Sequence, residues 1–281
     1  MIFLENDVVS SISTILAGPK NYRASSGNTN PVCGDLDGDG RAELVIGFGP
    51  SMRGVVQVFD DAQTGFGPLA SARSNSEGYM QLPVPDGFWG STYPAIGNVD
   101  GDALDELVVG MGRTVGGGRL VILDDLSTDL AIHPGNQTGE PWLRVDPNPQ
   151  RLQKHTRTMP ALGDLDGDGR DEIAVSFGSG SRARVALLND AIDGFPMTSS
   201  DALLIAAGRP TYQRKDGATR SAIGDVDGDG VDELIVGFRR KGRFEVQVFD
   251  DMSVGMGPMT SSDGFISAAD SSIVIIPTPV N

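Results

Sequence analysis

One acidic stretch occurs four times in this chain, and that repetition limits what the chain can fold into. The copies are "CGDLDGDGRAELVIGFG" from Cys33, "IGNVDGDALDELVVGMG" from Ile96, "LGDLDGDGRDEIAVSFG" from Leu162 and "IGDVDGDGVDELIVGFR" from Ile223. Their first loop positions, Asp35, Asn98, Asp164 and Asp225, lie 63, 66 and 61 residues apart. A near-constant period of this size marks one supersecondary unit used repeatedly. Each copy crowds carboxylates beside an apolar run, and unpaired carboxylates so close would repel. The pattern calls for bound positive charge.

The rest of the unit recurs as well. A second strand-like run follows each loop: "VVQVFDD" (55–61), "RLVILDD" (119–125), "RVALLND" (184–190) and "FEVQVFDD" (244–251). A weaker run closes the unit: "YMQLPV" (79–84), "PWLRV" (141–145), "ALLIAA" (202–207) and "SIVIIP" (272–277). Short runs rich in Val, Ile, Leu and Phe, punctuated by Gly and Asp, read as strands. Each unit therefore has strand A before the acidic loop, B after it, then C and D. Four-stranded antiparallel units in series predict an all-β chain, a β-propeller. The repeats span about 28–90, 91–155, 156–217 and 218–281 of a single domain, with 1–27 a partial blade. "IFLEND" (2–7) matches strand C and "SISTILAG" (11–18) resembles strand D, so the count does not close. A longer propeller, two chains completing a ring as a homo-oligomer, or a strand-like end outside the ring all remain open.

The third copy shows the loop chemistry. Asp164, Asp166 and Asp168 fall at positions 1, 3 and 5, Arg170 at position 7 can offer its carbonyl, and Glu172 stands at position 9. Alternate side chains converge as the backbone curls, and Gly169 permits the turn. Hard oxygen ligands in this arrangement suit Ca²⁺, while Mg²⁺ demands stricter geometry. No His or Cys lies in the loops, which argues against zinc and copper. An EF-hand needs a bidentate Glu at position 12, where this chain has Ile46, Val109, Val175 and Val236.

The repeated D-x-D-G-D-G-x-x-E-[LI] within four-strand units resembles the FG-GAP or VCBS repeats of integrin-α-like calcium-binding β-propellers, over about residues 30 to 250. The resemblance implies about four Ca²⁺ ions, one in each A–B loop. The ligands it implies are Asp35, Asp37, Asp39, the Arg41 carbonyl and Glu43 in the first loop. The third uses Asp164, Asp166, Asp168, Arg170 and Glu172, and the fourth Asp225, Asp227, Asp229, Val231 and Glu233. The second loop departs from the pattern: Asn98 replaces the first Asp and Ala103 the turn glycine. Its set, Asn98, Asp100, Asp102, Leu104 and Glu106, should bind more weakly. The ions read as structural clamps on hairpins.

The formal charge of −16 argues against nucleic acid as a partner. Its distribution is lopsided. If A–B and C–D loops share one end of the sheets, eighteen of the 22 Lys and Arg map to the other end. That end holds Arg53, Arg239 and Arg240 in B–C loops, and Arg151, Lys154, Arg157 and Arg214 in D–A loops. Tyr22, Trp89, Tyr93, His155 and Tyr212 add aromatic surface there. Arg151, Lys154, His155, Arg157, Tyr212, Arg214, Arg239 and Arg240 are the candidate contacts for an anionic glycan or protein ligand. The two histidines, His133 in a C–D loop and His155 in a D–A loop, should fall at opposite ends, and neither belongs to a nucleophile pattern. Three function classes follow: a calcium-stabilised binding or adhesion module, an enzyme of the polysaccharide lyase or hydrolase type on an acidic glycan, and a structural propeller. The first is preferred. No apolar run reaches membrane-spanning length, no signal peptide is visible, and an extracellular, cell-surface or periplasmic setting is expected. Cys33, the single cysteine, reads as a small buried residue.

Overall fold

The computed structural model describes residues 2–5, 8–12, 14–69, 71–112, 118–134, 139–145, 157–192, 194–196, 203–204, 217–240, 243–253, 255–256, 259 and 265–267. β1 (Ile2–Glu5) and β2 (Val8–Ile12) form an antiparallel hairpin, and a short helix α1 (Lys20–Ser25) follows. Four antiparallel meanders come next. The first holds β3 (Thr29–Gly34), β4 (Glu43–Phe48), β5 (Val55–Phe59) and β6 (Tyr79–Gln81). The second holds β7 (Thr92–Gly97), β8 (Glu106–Met111), β9 (Arg119–Leu123) and β10 (Leu143–Arg144). The third holds β11 (Thr158–Gly163), β12 (Glu172–Phe177), β13 (Arg184–Leu188) and β14 (Leu203–Leu204). The fourth holds β15 (Arg220–Gly224), β16 (Glu233–Arg240), β17 (Arg243–Phe249) and β18 (Phe265–Ser267).

The B strands are continuous apolar runs because both their faces are covered. All six residues of β4, β8 and β12 are buried. One face of β8 gives Leu107, Val109 and Met111 to the core shared with Val45, Val56 and Val58 of the first sheet. The other gives Val108 to the core shared with Ile173, Val175 and Phe177 of the third. Leu234, Val236 and Phe238 pack in the same way against Ala174, Val185 and Leu187.

Polar contacts recur at each of these junctions. Thr92 and Thr158 open the first strand of their sheets, Thr219 stands just before β15, and all three reach into the sheet before. Each hydroxyl accepts a backbone N–H, from Phe48, Met111 or Phe177. Each also donates to a carbonyl one strand away, of Val55, Arg119 or Arg184. Position 8 of the loop supplies a second tie. The Asp105 and Asp232 carboxylates accept the N–H groups of Asp35 and Asp164 in the preceding loop. Asp171 approaches Gly97 so closely that a Cβ there would lie 2.1 Å from its carboxylate oxygen. The first copy has Ala42 at this position.

No closure into a ring is seen among the described residues. The first strands pack in series, β3 on β7, β7 on β11 and β11 on β15, and no comparable packing joins the fourth sheet to the first. What stands is an all-β chain of four four-stranded antiparallel sheets; the expected closed propeller is not seen, whether made by one chain or by two. Ile15, Ala17 and Tyr22 cover the free face of the first sheet, against Leu44, Ile46 and Phe48. On the fourth sheet, Val226 is 53% exposed, whereas its counterparts Leu36, Val99 and Leu165 are fully buried.

Several expectations need correcting. Strand D of the fourth unit is β18, not 272–277, which lie outside the described residues. Tyr22 is buried at 3% exposure, with its hydroxyl donating to the Asn28 carbonyl, and offers no surface for a sugar. Cys33 is exposed on β3, against which no earlier sheet packs among the described residues. No helix among the described residues is long and apolar enough to cross a membrane.

Candidate metal centre

Each A–B loop is a curl of Asx turns, in which short carboxylates accept nearby backbone N–H groups. Asp35 accepts from Gly38 and Gly40, at 2.7 and 2.9 Å. Asp37 and Asp39 accept from Asp39 and Arg41. Asp164, Asp166 and Asp168 repeat the pattern, as do Asp225, Asp227 and Asp229. Asp35, Asp37 and Asp39 thereby bring three carboxylate oxygens within 4.8 Å of one another.

Glu43, Glu106, Glu172 and Glu233, at position 9, sit beneath these curls and are fully buried. One oxygen of each, Oε2, accepts the N–H of position 2, at 2.7 to 2.8 Å from Leu36, Val99, Leu165 and Val226. The other, Oε1, is buried in all four without a hydrogen-bond partner. Burial raises Glu43 to about 7, Glu172 to about 8 and Glu106 to about 9, and the nearby loop aspartates add to the rise. Glu233 is raised for the same reasons. A buried carboxylate with one unsatisfied oxygen costs free energy unless a proton or a cation meets it. The donor set is all hard oxygen, so the site fits a cation of the calcium kind.

The second loop differs where the sequence does. Asn98 accepts from Gly101. Its other side-chain terminus is an amide NH₂, which cannot accept the position-6 N–H that Asp35, Asp164 and Asp225 receive. Position 6 is Ala103, held at φ 148, where Gly40, Gly169 and Gly230 take φ 82, 88 and 96. Asp100, Asp102 and Glu106 still converge within 4.8 Å.

The C–D turn meets the A–B loop: the sequence places the pairs 60/61, 124/125 and 250/251 at the end that carries the acidic loops, and the structure adds that side chains of the first two pairs converge with loop carboxylates. The second Asp of each terminal pair is structural: Asp61 and Asp125 are buried and accept N–H groups of their own turns. The first Asp faces the loop. Asp60 converges with Asp37 and Glu43, and Asp124 with Glu106 and Asp125. His133, expected to be a solvated loop residue, is 3% exposed, with Nε2 3.4 Å from Asp100 Oδ2. The pairs 60/61 and 124/125 were the visible signal, since A–B and C–D loops share an end of every meander. Arg41 and Arg170 at position 7 turn their guanidinium groups onto Asp39 and Asp168. They also lie within 4 Å of the turn aspartates Asp61 and Asp190.

At the opposite end the Arg53 guanidinium stacks 4.0 Å over Trp89, which is 52% exposed. A B–C loop and a D–A loop therefore meet as expected. Arg157 is exposed at this end. Arg151, Lys154, His155, Tyr212 and Arg214 lie outside the described residues, as do the side chains of Arg239 and Arg240. Arg23 turns back to donate to the Gly18 carbonyl.

No family model matches the chain, and no curated protein does. Among solved structures, a Bacillus licheniformis rhamnogalacturonan lyase of family PL11 aligns at 15% identity and TM-score 0.44, over 79% of this chain and 46% of that one. The rhamnogalacturonan lyase YesW aligns at 14% identity and TM-score 0.43, over 85% of this chain and 48% of that one. The chain spans about half the length of these structures, and the likeness is too slight to pass a substrate to it. The resemblance to FG-GAP, VCBS and integrin-like propellers does not hold: no family model matches the chain, and no ring closes among the described residues. Integrin-like adhesion falls with it. The short D-x-D-G-D-G signature specifies a carboxylate curl, which any hairpin can carry, and so reports a repeated loop rather than a family.

Proposed function

We propose that the chain is a calcium-stabilised all-β module that binds an anionic glycan at the loop end opposite its cations. One observation carries the cation: the buried, unsatisfied Oε1 of Glu43, Glu106, Glu172 and Glu233 beneath curled aspartates. The three side chains at positions 1, 3 and 5, the Glu at position 9 and the carbonyls of Arg41, Leu104, Arg170 and Val231 would complete four sites. The second is the weakest, because Asn98 brings no charge. Bound Ca²⁺ would supply the positive charge that the carboxylates lack. The residues clamp the two strands of each hairpin, so that binding free energy becomes folding free energy. Open, solvent-facing curls suit the weaker calcium sites of extracellular modules, which supports an extracellular or periplasmic setting.

The glycan reading rests on the exposed Arg53–Trp89 pair, an aromatic platform with a cation beside it. Chelation should lower the melting temperature by about 10 °C, and excess Ca²⁺ but not Mg²⁺ should restore it. An unchanged melt would remove the cation from the account. Titration with polygalacturonate at low and high salt tests the ligand, and binding should weaken with salt. The same mixture tests the enzymatic alternative, since β-elimination from a uronate creates an ultraviolet-absorbing double bond.

A further inference from the structure

The second sheet has lost part of its oxygen curl and gained a nitrogen. His133 stands where Leu69 and Met259 stand in the first and fourth sheets. All three donate their backbone N–H to the equivalent strand carbonyl, of Ile122, Val58 and Val248 respectively. An apolar side chain therefore satisfies this position in the first and fourth sheets, and imidazole is not needed for packing there. The ring is buried, and Phe195 meets it edge-on at 5.4 Å, which fixes its plane.

That ring faces carboxylates. His133, Asp100 and Asp124 each bring one ligand atom within 4.8 Å of the others. Glu106 brings a carboxylate oxygen equally close to Asp124, and its fully buried Oε1 has no hydrogen-bond partner. The Nε2 to Oδ2 separation of 3.4 Å is long for a charge-assisted hydrogen bond. It matches the edge of a tetrahedron whose ligands lie ~2.0–2.1 Å from a central zinc, which sets neighbours about 3.4 Å apart. Three hard oxygens alone would suit calcium, whereas one imidazole among carboxylates shifts preference toward first-row divalent metals.

We propose that His133, Asp100, Asp124 and Glu106 form a site for a divalent cation of the zinc class, separate in kind from the calcium curls. It takes Asp100 and Glu106 away from the weakest of those curls, and it does not require the other three to hold calcium. The test is Zn²⁺ titration of chelator-treated chain in millimolar Ca²⁺, followed by calorimetry. One equivalent of Zn²⁺ should bind. His133→Leu, which installs the residue of the first sheet, should weaken it on the order of 100-fold. His155→Ala, at the only other histidine, should leave it unchanged. Co²⁺ in place of Zn²⁺ should give a visible d–d band that His133→Leu abolishes. Equal Zn²⁺ affinity in His133→Leu, or no binding by a chain that melts cooperatively, overturns the site. Zn²⁺ binding with no Ca²⁺ uptake would instead sustain it and sink the calcium reading. Asp124→Asn, with a normal melt, should also lose the Zn²⁺ equivalent; retention counts against the site.

Discussion

At the scale of single residues, Ala103 and the buried glutamates hold most of the energetic interest. Ala103 sits at φ 148 in a position that the other loops give to glycine. A side chain there is strained, so Ala103→Gly should stabilise the chain by about 1 kcal/mol, read as a small rise in melting temperature. A fall would show that the loop has adapted to alanine. The glutamates set the pH response of the cation-free chain. Burial raises their folded pKa values, to about 7 for Glu43, about 8 for Glu172 and about 9 for Glu106. Their unfolded values stay in the ordinary carboxylate range near 4.5. The folded chain then binds more protons than the unfolded chain between those limits. Stability should be greatest below about pH 4.5 and fall as pH rises through about 7 to 9. Melts in EDTA at pH 5 and pH 8 check the sign. Saturating Ca²⁺, which binds the deprotonated form, should remove the trend.

At the scale of elements, the junction between sheets depends on a threonine. Thr158 is buried and joins the Met111 amide to the Arg119 carbonyl. Thr158→Val keeps the shape and strands both backbone groups, so it should cost about 1–3 kcal/mol in denaturant unfolding. Thr29 opens β3, has no described sheet packed before it and is exposed, and Thr29→Val should stay within about 0.5 kcal/mol. Equal costs would mean that the hydroxyl acts within its own strand. This element-level logic was half visible beforehand. Strands B and C follow from their apolar runs, B because burial on both faces leaves no polar interruption, whereas strand A is marked only by its place before the acidic loop and β3 is partly exposed along its length. Strand D lies inside the expected runs of the first three units, as β6, β10 and β14, but in the fourth it is β18 rather than 272–277, since so short an element carries no period of its own.

At the scale of the whole molecule, the stack of sheets has a direction. Leu36, Val99 and Leu165 each point from a loop into the following sheet and are fully buried, while Val226 is half exposed. Leu36→Ala should therefore cost about 2–4 kcal/mol, whereas Val226→Ala should change stability by less than about 0.5 kcal/mol. A large loss at Val226 would reveal a cover on the last sheet. The first sheet ends differently: residues 14–22 fold over its free face, and Gly18 donates to Gln57 Oε1. Ala42, in place of the aspartate that ties later loops backward, agrees with a sheet that has no described neighbour before it.

The sequence by itself determined the all-β character, the period and the carboxylate curls. Those features are local: a pattern of apolar runs and a one-residue alternation of Asp within nine positions fix backbone and side-chain direction over a few residues. Only the tertiary structure decided that position 9 turns inward and leaves one oxygen unsatisfied. It also decided that Asp60 and Asp124 reach the loops, that His133 meets Asp100 across 33 residues, and that the sheets stack without a described closure. Each of these depends on which side chains the packing of separate elements brings together and which it shuts away from water. Spacing along the chain carries no measure of that distance.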